Sequence, residues 1–290
     1  MASPTFSDVV LRREVRRLRQ QKTVFMNFVS REYEGELQGK NSVVFVPVMT
    51  NITLTGSSIT GTANNTLGTW PGQAITNSSS TFSLESLSLS KYAPYRETLT
   101  EFQLKHAKVP LEMAIADNLT TAEGVLMDNF VRDLILVDKV ASIPAGNKIN
   151  SGAPIAITTG SIVAEISKMV TQLDVQNAPE DKRVLFVSPA TASLFFQSAL
   201  LAGTNNGLDQ VQKGFLGMYR GVKVVQSNAL TASNEMIMFV EGSCNVVADY
   251  YALENRDATD GKYTNLLYEL VYGGQIFSPN LVNVVINYCI

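Results

Sequence analysis

The sequence predicts an α+β chain, and three observations carry that reading. A long stretch without charge lies between two strand-like segments. A sustained helical period follows Pro110. The second half alternates strand and helix patterns and ends in strands.

The N-terminal part comes first. Residues 7–29 read as a helix that Ser7 or Asp8 can cap, with Leu11, Val15, Leu18, Phe25 and Val29 at alternating spacings of four and three. Arg12, Arg13, Arg16, Arg17, Arg19 and Lys22 surround that stripe against one acid, Glu14. Six bases against one acid give a local balance of +5 in a chain whose total is −3. Two readings fit: a solvated helix face, or a basic arm that meets an acidic partner.

No charged residue occurs between Lys40 and Glu85, and 22 of the 32 residues from Thr50 to Thr81 are Ser, Thr, Asn or Gly. Ser42–Val48 before it is a strand candidate. After it, Phe82, Leu84, Leu87 and Leu89 alternate with serines, with a slip near Glu85–Ser86 that suits a bulge. Two strands around an uncharged, Thr-rich stretch predict an extended β-hairpin. Loops beyond ~15 residues are uncommon in compact domains, so such an arm needs another surface. Ile59, Leu67, Trp70 and Ile75 are its apolar contact candidates. A loose insertion is the competing reading.

Glu101–Pro110 reads as a strand leaving the hairpin. Thr120-x-x-Glu123 then has the form of a capping box, and Leu119, Ala122, Leu126, Phe130, Leu134 and Val137 mark one helical face. A helix reaching Val140 would be ~30 Å long. Ser161–Gln176 is amphipathic through Ile162, Val163, Ile166, Met169, Val170 and Leu173. Arg183–Val187 is an apolar strand, and Ser188-Pro189 supplies a cap and a first-turn proline for a helix to about Leu201. Gly203–Gly214 is a polar loop. Tyr219-Arg220-Gly221 marks a turn before a strand from Val222. Met236–Val240, Val246–Leu253, Leu266–Tyr272 and Leu281–Tyr288 read as strands.

Composition excludes several functions. Hydrophobic residues make up 45% of the 290 residues. Charged residues make up only 17%, against a usual ~25%. Either the surface is largely used in contacts with neighbours, or it is polar without charge. The N-terminus lacks the apolar core of a signal peptide. The apolar runs are far shorter than the ~20 residues of a membrane helix, so no membrane role is expected. Cys244 and Cys289 are too few for a disulfide framework and fit no metal motif. The single histidine, His106, is the one base any Ser–His or Cys–His arrangement could use. No phosphate-cradling GxxxxGK[ST] occurs. Glu180-Asp181 reads as loop acids, although any two of the 26 acids could converge in a cleft. The expectation is a structural protein and not an enzyme, with no cofactor and no metal.

Four stretches carry a resemblance. "GKNSVVFVPV" at Gly39–Val48 leads into the uncharged segment. "APEDKRVLFVSPATASLFFQSALL" spans Ala178–Leu201, "GMYRGVKVVQSNAL" spans Gly217–Leu230 and "YGGQIFSPNLVNVVI" spans Tyr272–Ile286. In this order, over nearly the whole chain, they resemble the major capsid proteins of tailed bacteriophages, with the Hong Kong 97-type fold. The resemblance implies an N-terminal arm at 1–30 and an extended β-hairpin loop at 43–92. It implies a peripheral domain with a long spine helix at 93–145 plus part of 271–290, and an α/β axial domain at 155–270.

The function implied is self-assembly through pentamers and hexamers into an icosahedral phage head around double-stranded DNA. The partners implied are further copies of the chain, a portal, a separate scaffolding protein, a decoration protein, and non-specific contact with packaged DNA. Because the sequence starts directly at the arm, the scaffold is expected as a separate chain. The implied location is the virion, after assembly in the host cytoplasm. No cross-linking Lys–Asn pair and no cleavage site is assigned by these motifs. An encapsulin-type compartment shell shares the fold and is the first alternative. A carboxylate-based hydrolase, which needs two facing acids in a cleft, is the alternative from another class.

Overall fold

The computed structural model describes residues 23–37, 42–49, 82–100, 111–198, 215–231, 235–257 and 263–290. Its elements begin with β1 (Val43–Met49), β2 (Phe82–Ser88) and β3 (Lys91–Thr100). Helix α1 (Leu111–Asp133) continues into a π-helical turn, Leu134–Asp138. Then come β4 (Lys148–Ile149), α2 (Ile162–Val175), β5 (Arg183–Val187) and α3 (Pro189–Gln197). The last part holds β6 (Phe215–Tyr219), β7 (Val222–Gln226), β8 (Met236–Val240), β9 (Asn245–Asp257), β10 (Tyr263–Gln275) and β11 (Val284–Asn287).

Strands with unbroken apolar runs take the centre. β5 (RVLFV) and β8 (MIMFV) are buried at every position and pair in the middle of a six-stranded sheet, β4-β11-β8-β5-β7-β6. Such runs are the mark of strands covered on both faces. Val184, Phe186, Ile237 and Phe239 face one core with residues of α1. Leu185, Val187, Met236 and Met238 face another, closed by Ile162, Ile166, Met169, Val170 and Leu173 of α2. The turn between β6 and β7 is made by Arg220 (φ 48°) and Gly221 (φ 79°). Two adjacent positive φ values are what a two-residue type I′ hairpin needs. The Ser188 side chain accepts the Thr191 N–H at 3.2 Å and caps α3, with Pro189 in its first turn. α3 ends at Gln197, where Ser198 turns to extended backbone, short of the expected Leu201; residues 199–201 and the polar loop after them lie outside the described residues.

The other sheets are antiparallel: β3-β10-β9, with an irregularity at Glu269/Leu270, and the pair β1-β2. The β1-β2 register runs without a break from Val43 opposite Ser88 to Met49 opposite Phe82. There is thus no bulge at Glu85–Ser86, and Leu84 and Leu87 simply lie on opposite faces.

Three further expectations are corrected. The long helix begins at Leu111, so Thr120 and Glu123 are not a cap. Both are buried in mid-helix, and Glu123 accepts the Tyr268 hydroxyl at 2.7 Å. Of the expected face, Phe130 and Leu134 are buried and Leu119 and Leu126 pack against the same core, whereas Ala122 and Val137 are exposed; Thr120, Glu123, Met127 and Val131 complete the buried face. Buried polar residues with distant partners shift the face away from the purely apolar stripe. In the expected helix 7–29, the described part from residue 23 holds only a single 3-10 turn, Phe25–Asn27. Here Phe25 stacks on Phe186 at 4.1 Å, and Asp128 takes up the backbone N–H groups a longer helix would use itself. Lastly, the expected strand Leu281–Tyr288 opens with a 3-10 turn, Ser278–Asn283, because Pro279 sits in its first turn.

Candidate assembly surface

β1 is apolar on both faces, and a two-stranded sheet has only one core to give them. Val48, Leu87 and Leu89 are buried with Leu37, Val247, Val271 and Phe277, and Val44 and Val46 pack against that cluster. The base of the hairpin is therefore part of the body. Glu85 adds a polar fastening: its two carboxylate oxygens accept the Ser278 N–H at 3.1 and 3.2 Å. Beside it an open groove of about 490 Å³ is lined by Leu84, Glu85, Lys139, Gln275, Ser278 and Leu281.

Among the described residues the opposite face has no such cover. Phe45 is 65% exposed, Leu84 70% and Val43 46%, and Pro47, opposite Leu84, is exposed as well. These four belong to the same face of one register. Scattered exposed apolar residues are ordinary, but a contiguous group marks an interaction site. No charged residue belongs to this face of the register, so closing it against a partner involves no desolvation of its own ions.

Arg12, Arg13, Arg16, Arg17, Arg19 and Lys22 lie outside the described residues, as do Ile59, Leu67, Trp70, Ile75 and His106. Sequence reasoning missed Val43, Phe45 and Leu84. The signal was present: VVFVPV is apolar at consecutive positions, more than a half-covered strand requires.

Among the described residues the buried ionisable groups tie elements together, and Glu165 and Glu235 both act on Cys289. Asp128 is 8% exposed, and burial pushes its pKa up to about 6 against the pull of the Val24, Phe25 and Met26 N–H groups. It ties the end of the N-terminal segment to α1. Burial raises Glu165, yet hydrogen bonds from Lys168, Asn287 and Asn150 outweigh it and leave its pKa below the ordinary carboxylate value. Through these bonds Glu165 joins α2 to β11 and to the turn at Asn150. Glu180 and Asp181 are exposed. Burial pushes the Cys244 and Cys289 thiols up to about 12, which leaves them unreactive at neutral pH. Among the described residues no group of three or more His, Cys, Asp and Glu is placed to hold a metal ion, and no helix is long and apolar enough to cross a membrane.

Solved structures share this architecture. One from Mycobacterium phage Che8 is 20% identical, covering 91% of this chain and 90% of that one at a TM-score of 0.66. The capsid of the cyanophage P-SCSP1u matches at 14% identity, with 93% and 89% covered and a TM-score of 0.68. This chain has the fold of phage capsid proteins. The same capsid fold matches a virus-like particle from Pyrococcus furiosus at 12% identity, covering 96% and 97% at a TM-score of 0.57. No family model and no curated protein matches the sequence.

Proposed function

We propose that this chain is the shell-forming subunit of a tailed phage head, of the Hong Kong 97 type. It would assemble through pentamers and hexamers into a closed icosahedral container for double-stranded DNA. The observation that carries the reading is the apolar outer face of the hairpin, Val43, Phe45, Pro47 and Leu84, on a base fixed in its own core. In this reading α1 is the spine helix of a peripheral domain. The six-stranded sheet with α2 and α3 forms the axial domain, and 43–92 is the extended loop. Residues 1–30 would be the N-terminal arm, whose bases would meet an interior partner, scaffold or DNA, that supplies negative charge.

A shell of this kind follows from modest contacts. Head-to-tail contacts close into rings, and rings close into a cage. A standard interface buries ~1,600 Å², and each subunit in a cage shares several. Closure makes the last contacts effectively intramolecular, so the whole is far stronger than any pair. The role is structural. A portal, a separate scaffolding protein and a decoration protein are the partners the reading adds.

The test is a double substitution on the outer face, Phe45→Ser with Leu84→Ser. Because both side chains are exposed in the subunit, its thermal melting should change little, within about 0.5 kcal/mol. Sedimentation should show assembly lost or moved to at least tenfold higher concentration. Unaltered assembly by the variant would refute the role of this face.

An encapsulin-type compartment is the second reading, supported by the Pyrococcus furiosus particle, whose match covers nearly all of both chains. The contents of particles purified from cells separate the two: DNA for a phage head, a protein cargo for a compartment.

A further inference from the structure

The direction of the hairpin is set at one point of close approach. β3 begins at Lys91, paired with Tyr272 of β10. Immediately upstream the chain leaves β10, and the carbonyl of Ser88 passes over the next residue, Gly273. A Cβ at Gly273 would lie 1.9 Å from the Ser88 oxygen and 2.9 Å from its carbon. Both are backbone atoms, so no side-chain rotation relieves the clash. Gly273 has no unusual φ; it is required for space alone. Its neighbour Gly274 faces the other way, where a Cβ would lie 3.0 Å from the Phe130 ring of α1, 3.1 Å from the Asn245 carbonyl oxygen and 3.2 Å from Leu134 of the π-helical turn. The pair thus lets β10 be pressed between the hairpin on one side and the long helix on the other.

We propose that Gly273 is the positioning residue for the extended hairpin, the seat that fixes how β1-β2 leaves the body. The seat lies between two other fixings, the Glu85 carboxylate on the Ser278 N–H and the packing of Leu87 and Leu89. With three points held, the hairpin base has one orientation before any partner arrives. Preorganisation of this kind lowers the ordering cost of association. Raising the carbonyl to an ordinary contact distance of 3.4 Å moves the base by about 1.5 Å. The outer face at Phe45 and Leu84 moves with it. In a shell, and here the inference rests on the reading above, a tilted hairpin meets its neighbour at a different angle and closure fails.

The experiment compares Gly273→Ala with Gly274→Ala in the full chain. Spin labels go on Phe45→Cys paired with Val175→Cys of α2, and on Phe45→Cys paired with Met218→Cys of β6, neither of which touches Gly273 or Gly274. All three positions are exposed, and the native Cys244 and Cys289 are buried. Gly273→Ala should shift at least one label distance by about 1.5 Å or more. Gly274→Ala should lower the melting temperature and leave both distances unchanged. Unchanged distances in a folded Gly273→Ala protein overturn the proposal. Should that variant fail to fold, hydrogen exchange on the unaltered chain decides. Amides of Leu87 and Leu89 protected as strongly as Val271 support a seated base; fast local exchange there with β10 still protected overturns it. Both readouts use the free subunit. Failure of the unaltered chain to assemble would sink the shell reading and leave the seat standing. Unchanged distances would sink the seat alone.

Discussion

The six-stranded sheet and the β1-β2 hairpin are both built from strands with apolar residues at consecutive positions, yet they end in opposite situations. β5 and β8 have a core on each side, and every one of their residues is buried. β1 has a core on one side only, and Phe45 and Val43 face outward with Leu84 of β2. The same sequence pattern is thus satisfied within the subunit in one region and left open in the other. A strand apolar on both faces, in a sheet covered on one, is a request for a second surface.

Four further changes sharpen or break this comparison, ordered by their expected effect on folding. Phe186 stacks between Phe25 and Phe239 at centroid distances of 4.1 and 5.1 Å. Phe186→Ala should destabilise the subunit by about 3–5 kcal/mol in chemical denaturation, because it empties a core rather than an interface. A loss below about 1 kcal/mol would mean the sheet is not the closed region described here.

Asp128 comes next. Its pKa is raised from 3.8 to about 6 by burial, so the folded state holds the proton more tightly than the unfolded chain. Its contribution to stability is then fully present below about pH 4 and lost as pH rises through 6. Measured against Asp128→Asn, the native chain should gain up to about 3 kcal/mol as pH falls across that window. A difference that stays flat with pH would show that the N-terminal turn does not bury this carboxylate.

Deleting Gly56–Gln73 tests the hairpin from the other direction. The deleted residues lie beyond the seated base, so melting should change by less than about 1 kcal/mol. Closed particles should be absent by electron microscopy, and normal particles from the deletion variant would contradict the open-face reading. The smallest effect on folding belongs to the basic segment. Replacing Arg12, Arg13, Arg16, Arg17 and Arg19 by Gln should leave melting unchanged and weaken retention of an acidic interior partner, as high salt does. Retention equal to the native chain would make the segment a solvated face.

Where local chemistry decides, the fold was legible. The apolar runs of β5 and β8, the Ser188-Pro189 cap and the Arg220-Gly221 turn each need only a few neighbouring residues, and each stands where the sequence placed it. The face of the long helix was legible only in part: Leu119, Leu126, Phe130 and Leu134 pack on the core as expected, but the burial of Thr120, Glu123 and Asp128 beside them was not. Glu123 is satisfied by Tyr268, 145 residues away, and Asp128 by Val24, 104 residues away. No local pattern reveals such partners. The short N-terminal turn has the same origin. For the candidate surface, the excess apolar content of VVFVPV was visible, but which of its faces stayed open depended on the cluster of Leu37, Val247, Val271 and Phe277.

The most direct measurement is the mass and shape of the full chain purified alone and with a candidate scaffold, by light scattering and negative-stain microscopy. Capsomer rings of several hundred kilodaltons or closed particles of megadalton mass are the predicted result. A clean monomer under every condition, including crowding and added scaffold, would contradict the shell function and leave the outer face of the hairpin in need of another partner.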